Sequence, residues 1–177
     1  VCTQVEGLSD ELLEYFDKIM SVERLREVRV LTSFVRLEPF SASDEVSRIA
    51  PIYKSKQRWL PGVEVTGEGV FFQFKSAKIK EWEIKTNVKT RAERLNNSYK
   101  KKYRKSRDKP DREITPRLVM IHTFAHAIIN KWALECGYPA ASMRERLYVS
   151  DDMCGLLIYT AATGAAGSLG GMIALTK

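Results

Sequence analysis

The stretch GLLIYTA, residues 155–161, is a continuous run of uncharged, mostly apolar residues. A short run of this kind without alternation is typical of a strand that is buried on both faces of a sheet. The tract that follows, TGAAGSLGG at 163–171, is rich in glycine and small polar residues. The two together therefore lack the ~20 predominantly apolar residues of a membrane-spanning helix. We predict a buried strand, a glycine-shaped turn that either packs tightly or cradles a phosphate, and no membrane span.

The most clearly marked helix begins at Thr115-Pro116, where a capping hydroxyl precedes proline at the first helical position. Apolar residues then recur at helical spacing until Gly137 and Pro139 end the pattern, which predicts a helix over 116–136. VFFQF, at 70–74, predicts another strand, with Val70, Phe72 and Phe74 on one face and Phe71 on the other. These elements indicate a mixed α/β fold with a central sheet and covering helices.

Other elements are marked less strongly. The spacing of apolar residues predicts a helix from Ser9 to Met20, and VERLREVRVLTSFVRL at 22–37 ends in a pattern that suggests a strand. Residues 58–74 are expected to form two short strands, with breaks at Pro61-Gly62 and at Gly67 to Gly69. A short helix is predicted from Ser142 through Leu147.

We expect one domain spanning 1–177, as a fragment of a larger protein. Its three widely spaced cysteines indicate no disulfide framework and favour a reducing cytoplasm.

Positive charge is concentrated in residues 89–112. This segment holds eleven basic and three acidic residues, whereas the whole chain has a formal net charge of +7. Apolar residues recur there every three or four positions, which predicts a basic amphipathic helix. Dense positive charge interleaved with aromatic residues is typical of nucleic-acid-binding surfaces. We predict phosphate contacts and base stacking from Lys100, Lys101, Lys102, Arg104, Lys105, Tyr99 and Tyr103.

A second candidate DNA contact follows the long helix. The turn GYPA at 137–140 and the short helix predicted after it resemble a helix-turn-helix outline, in which Arg144 and Arg146 would face a DNA groove. Two-helix corners are also common inside cores, so a structural role is the alternative.

His122 and His126 are the only histidines, four residues apart on the predicted helix. This spacing lets both imidazoles reach one metal ion. The third ligand would come from Cys154 or from a carboxylate such as Glu64 or Glu68, and the centre would suit metal-dependent phosphodiester cleavage. The alternative is a histidine pair that is satisfied in the core or at an interface. The sequence alone assigns no metal ligand.

Three blocks of the sequence together resemble a known family. They are WLPGVEVTGEGVFFQF at 59–74, IHTFAHAIINKWALECGYPAASMRERLY at 121–148 and GLLIYTAATGAAGSLGGM at 155–172. In this order they resemble the DrmB-like domain of the DISARM anti-phage defence system, which is shared with C-terminal regions of some bacterial DNA helicases. The resemblance implies a role in bacterial defence, with DNA and a DrmA-like helicase as partners. It also implies zinc in a cysteine-containing region downstream of Lys177, so we expect no cofactor within this chain.

We therefore expect a non-catalytic, cytoplasmic subunit of an anti-phage complex that associates with a helicase and helps to bind DNA. The motor and its ATP site would belong to the helicase. The alternatives are a metal-dependent nuclease built on the two histidines, and a purely structural scaffold whose basic segment contacts an acidic protein surface.

Overall fold

Seven strands and five helices make up the part of the chain that the computed structural model describes, residues 1–35, 49–55, 57–104, 112–162 and 170–176. The strands are β1 (Cys2–Gln4), β2 (Phe16–Val30), β3 (Ser33–Phe34), β4 (Ala50–Pro51), β5 (Gly62–Phe74), β6 (Met143–Val149) and β7 (Cys154–Ala162). The helices are α1 (Asp10–Tyr15), α2 (Ser76–Glu83), α3 (Thr86–Arg104), α4 (Pro116–Cys136) and α5 (Gly171–Ala174), and a 3-10 turn spans Ala140–Ser142.

Five of the strands form an antiparallel sheet in the order β1-β2-β5-β7-β6, and β3 pairs with β4 separately. The predicted mixed α/β fold, a central sheet with covering helices, is confirmed. β7 lies between β5 and β6, and the side chains of Leu156 and Ile158 are 0% exposed. Leu157, on the other face, is 9% exposed. The prediction of a strand buried on both faces is therefore also confirmed.

α4 covers one face of the sheet. The Thr115 hydroxyl accepts a hydrogen bond of 3.3 Å from the Leu118 amide at its start, and Gly137 at its end has φ of 70°. Ile121 and Ala125 are fully buried against a core that includes Phe72. Burying one large apolar side chain such as Ile121 contributes about 1.5–3 kcal/mol, so this packing stabilises the contact between α4 and the sheet. None of the helices within the described ranges is long and apolar enough to cross a membrane.

The helix predicted from Ser9 to Met20 is wrong beyond its first turns. The Ser9 hydroxyl caps α1, but the backbone becomes extended at Phe16. From there to Val30 the chain pairs with β5. A register shift between Phe16 and Lys18 places Phe16 and Ile19 in the same core. A bulge of this kind puts two residues that are three apart on the same face of a strand, and this is also the spacing of apolar residues on one face of a helix.

The predicted break at Pro61-Gly62 agrees with the start of β5, but the predicted break at Gly67 to Gly69 is wrong, because β5 is continuous from Gly62 to Phe74. A Cβ added to Gly67 would overlap the Thr160 carbonyl oxygen of β7. The glycine therefore permits close backbone approach inside the sheet and does not end the strand.

Candidate nucleic-acid interface and metal-ligand cluster

The basic segment forms α3 up to Arg104, which confirms the predicted helix for that part, while residues 105–111 lie outside the described residues. One side of α3 packs against α4. Ala92 and Asn96 are buried on that side. The Asn96 side-chain oxygen accepts a hydrogen bond of 3.1 Å from the Ile114 amide, just before α4 begins. These contacts orient α3 by holding one side of it against the domain.

The basic residues lie on the remaining circumference of α3. At about 100° per residue, some of them fall opposite the buried side of the helix and the others fall on its flanks. This basic face consists of five exposed side chains, those of Lys89, Arg91, Arg94, Lys100 and Lys101. Within the described residues, no carboxylate lies within ion-pair distance of any of them. Their charge therefore faces solvent.

The other residues of this segment for which DNA contacts were predicted do not belong to the basic face. Tyr99 is half-buried, two turns after Ala92. Lys105 lies outside the described residues, as do the side chains of Lys102, Tyr103 and Arg104. Base stacking by the two tyrosines thus stays a prediction.

The predicted short helix after α4 is wrong, because residues 143–149 form strand β6. The helix-turn-helix prediction is wrong with it. Arg144 and Arg146 alternate with Met143 and Leu147, which pack in the α4 core, so the arginines face the other side of the sheet. Edge pairing with β7 outweighs the local helical pattern here.

Both arginines contact groups of this same chain. Arg144 donates a hydrogen bond of 3.2 Å to Glu27, and the Arg146 guanidinium lies 5.8 Å from the centre of the Tyr148 ring. Glu27 also accepts hydrogen bonds from Arg29 and Tyr159. The Arg29 hydrogen bond is the largest influence that lowers the Glu27 pKa, followed by that of Tyr159. The structure does not join the two arginines to the basic face of α3.

Glu68 and Glu64, the predicted carboxylate ligands, have other roles. Glu68 is 1% exposed and accepts hydrogen bonds from the Tyr138 hydroxyl at 2.9 Å, the Gly170 amide at 2.7 Å and the Met172 amide at 3.0 Å. The Gly170 amide therefore serves an internal carboxylate and is taken from the predicted phosphate cradle, whose residues 167–169 lie outside the described part of the chain. Glu64 forms an exposed ion pair with Arg26, with 2.7 Å between nitrogen and oxygen.

The two histidines are brought together with Glu145, a residue that the sequence reasoning missed. The His122 and His126 Nε2 atoms lie 3.1 Å apart, and Glu145 Oε1 lies 3.1 Å and 3.9 Å from them. We call these three residues the histidine cluster. Reading 143–149 as an alternating strand would have placed Glu145 on the face of Met143 and Leu147, toward α4.

The histidines are not a core pair. Their side chains are 49% and 58% exposed, because the buried stripe of α4 runs through Ile121, Ala125 and Ile129 beside them. Among the residues that the structure describes, the histidine cluster is the group whose donor atoms converge in a way that could hold a metal ion. Cys154 is buried in β7, and burial raises the pKa of its thiol, which disfavours the metal-binding thiolate.

Comparison with curated proteins places this chain in the class of DrmB-like domains. The relative is the DISARM protein DrmB of Bacillus paralicheniformis, with 34% identity over 177 aligned positions that cover 96% of this chain. The chain spans about a third, 31%, of the length of that protein. No family model matches the chain.

Proposed function

We propose that this DrmB-like domain is a non-catalytic part of an anti-phage DISARM complex and that it contacts DNA through the basic face of α3. The observation that carries the proposal is the set of exposed positive side chains without a carboxylate partner in the described part of the chain. The likeness to the DISARM protein DrmB supports the defence role. In this proposal the complex is cytoplasmic, and a DrmA-like helicase supplies the motor.

The electrostatics favour a polyanion as the ligand. Lys89 and Lys101 are separated by twelve residues, about 18 Å along a helix. Duplex DNA carries one charge per ~1.7 Å of its axis, so the basic face can meet several phosphates at once. Each neutralised phosphate releases condensed counterions, which makes the affinity strongly dependent on salt. Because α3 is packed on α4, these charges are held on a single oriented helix, and those of Arg94 and Lys101, seven residues apart, fall on the same side of it.

The test compares two triple variants with the same change in net charge. One replaces Arg94, Lys100 and Lys101 by glutamine and removes three charges of the basic face. The control also introduces three glutamines, in place of Arg26, Lys78 and Lys131. These residues pair with Glu64, Glu14 and Glu135 of this chain. Binding of a fluorescent duplex and of a single strand is measured at several salt concentrations, in buffer containing a metal chelator.

We expect the first variant to bind DNA more weakly, with a log-log salt slope shallower by about 0.7 to 0.9 for every phosphate that the protein no longer neutralises. The control should bind like the wild type. Equal weakening in both variants would mean that only net charge matters, and that would contradict the assignment to α3. A wild-type protein that binds neither form of DNA would favour the scaffold, in which the basic face meets an acidic protein surface.

A further inference from the structure

We propose that the histidine cluster, His122, His126 and Glu145, binds one divalent transition-metal ion of the zinc class. This site does not depend on the proposed DNA contact, since it lies on α4 and β6 while the basic face lies on α3. Two helical positions four residues apart and one strand position supply two nitrogen donors and one oxygen donor.

The distances within the histidine cluster fit coordination. At metal–ligand distances of about 2.0–2.2 Å, tetrahedral geometry separates neighbouring ligand atoms by roughly 3.3–3.6 Å. The observed separations of 3.1, 3.1 and 3.9 Å bracket these values. A single ion can therefore contact all three atoms after small side-chain rotations.

Hydrogen bonding alone does not satisfy this arrangement. The Nε2 atom of a neutral imidazole has either one hydrogen or one lone pair, so it can form only one linear hydrogen bond. His122 Nε2 has two neighbours at the same distance, His126 Nε2 and Glu145 Oε1. A cation placed among the three atoms accepts a lone pair from each of them, which makes the close approach favourable.

Glu145 provides a second, independent observation. Its Oε2 atom is buried and has no hydrogen-bond partner among the described residues. A carboxylate oxygen held away from water without a donor costs free energy. A positive ion bound at Oε1 compensates the charge of the whole carboxylate, so metal binding would offset this cost.

The elements that hold the histidine cluster are packed in the core, and its outer side is open. Met143 and Leu147, on either side of Glu145 in β6, pack in the core, as do Ile121 and Ala125 beside the histidines. The half-exposed imidazoles leave room for water or an external ligand. Three protein ligands with open positions are typical of zinc centres that bind exchangeable ligands and, in the two-histidine, one-carboxylate set, of iron(II).

Metal binding is tested on the purified 177-residue chain, freed of metal by chelation. Zn²⁺ is titrated against a chromogenic competitor, and Co²⁺ is added separately to record its visible spectrum. We expect one site per chain, with a cobalt spectrum that lacks the charge-transfer band of thiolate ligation. His126→Gln should weaken binding by at least about 100-fold and Glu145→Gln by at least about tenfold. Circular dichroism checks that each variant is folded.

Glu135→Gln is the matched control, because this exposed carboxylate lies on the same helix and pairs with Lys131. It should bind zinc like the wild type. Absence of stoichiometric zinc in the wild type would overturn the proposal. So would a thiolate band in the cobalt spectrum, or unchanged affinity in both His126→Gln and Glu145→Gln. DNA binding is measured in chelator buffer, so it tests the function proposed above in the absence of metal. The failure of one proposal is therefore distinguishable from the failure of the other.

Discussion

The Glu68 carboxylate of β5 accepts a hydrogen bond of 3.0 Å from the backbone amide of Met172, which lies 104 residues later in the chain. The same carboxylate bonds Gly170 and Tyr138, so it joins the start of α5 and the end of α4 to the middle of the sheet. The Glu68 carboxylate is thus the common acceptor for three hydrogen-bond donors, two backbone amides and one hydroxyl.

Replacing Glu68 by glutamine should lower the free energy of unfolding by about 2–4 kcal/mol. The amide nitrogen cannot accept hydrogen bonds, so at least one buried donor is left without its partner. Urea denaturation measures the change. Tyr138→Phe, which removes one donor and leaves the backbone contacts, should cost less, and Glu64→Gln on the same strand should be nearly neutral. A stable Glu68→Gln variant would contradict this account of the carboxylate.

Replacing Gly67 by alanine should destabilise the fold by more than about 3 kcal/mol, because the new Cβ would overlap the Thr160 carbonyl group of β7. Thermal unfolding followed by circular dichroism tests this. Gly137→Ala is the control for backbone conformation: its φ is +70° and nothing lies within 4 Å of the added carbon. The control should cost only about 1–2 kcal/mol. Equal destabilisation at both positions would rule out the clash as the cause.

Arg117→Met should cost about 3–5 kcal/mol, because it leaves the Glu83 carboxylate unpaired. The Arg117 side chain is 9% exposed and donates two hydrogen bonds to Glu83, at 3.2 and 3.0 Å, and one to the Ser150 carbonyl oxygen. The double variant with Glu83→Leu should recover part of this stability. A double-mutant cycle under urea denaturation measures the coupling, and strictly additive effects would show that the pair is not coupled.

Glu27 should make the stability depend on acid pH. Hydrogen bonds from Arg29 and Tyr159 lower its pKa below the ordinary value of 4.5 in the folded protein. Its contribution is therefore present above pH 4.5 and is lost as the pH falls through the lowered folded value. Glu27→Gln should cost about 1–2 kcal/mol at neutral pH. The gap between wild type and variant, measured by denaturation from pH 7 to pH 3, should narrow below about 4.5. A constant gap would mean that the charge of Glu27 is not the cause.

Local signals were sufficient for the elements nearest the core. The Thr115 cap, the proline at position 116 and Gly137 define α4 because capping depends only on neighbouring residues. The apolar run of β7 predicted its burial because a continuous apolar composition suits a strand that is covered on both faces. The amphipathic pattern of α3 likewise predicted a helix with one side held against the domain.

The sequence by itself determined α4, β7, the mixed α/β fold and the concentration of positive charge in residues 89–112. Only the tertiary structure decided that Phe16 begins a long strand, that Arg144 lies on β6, and that Glu68 is an internal acceptor. It also decided that His122 and His126 meet Glu145. The physical reason is that strand pairing and buried polar contacts take their free energy from partners distant in the chain, and no local pattern of residues specifies which partners those are.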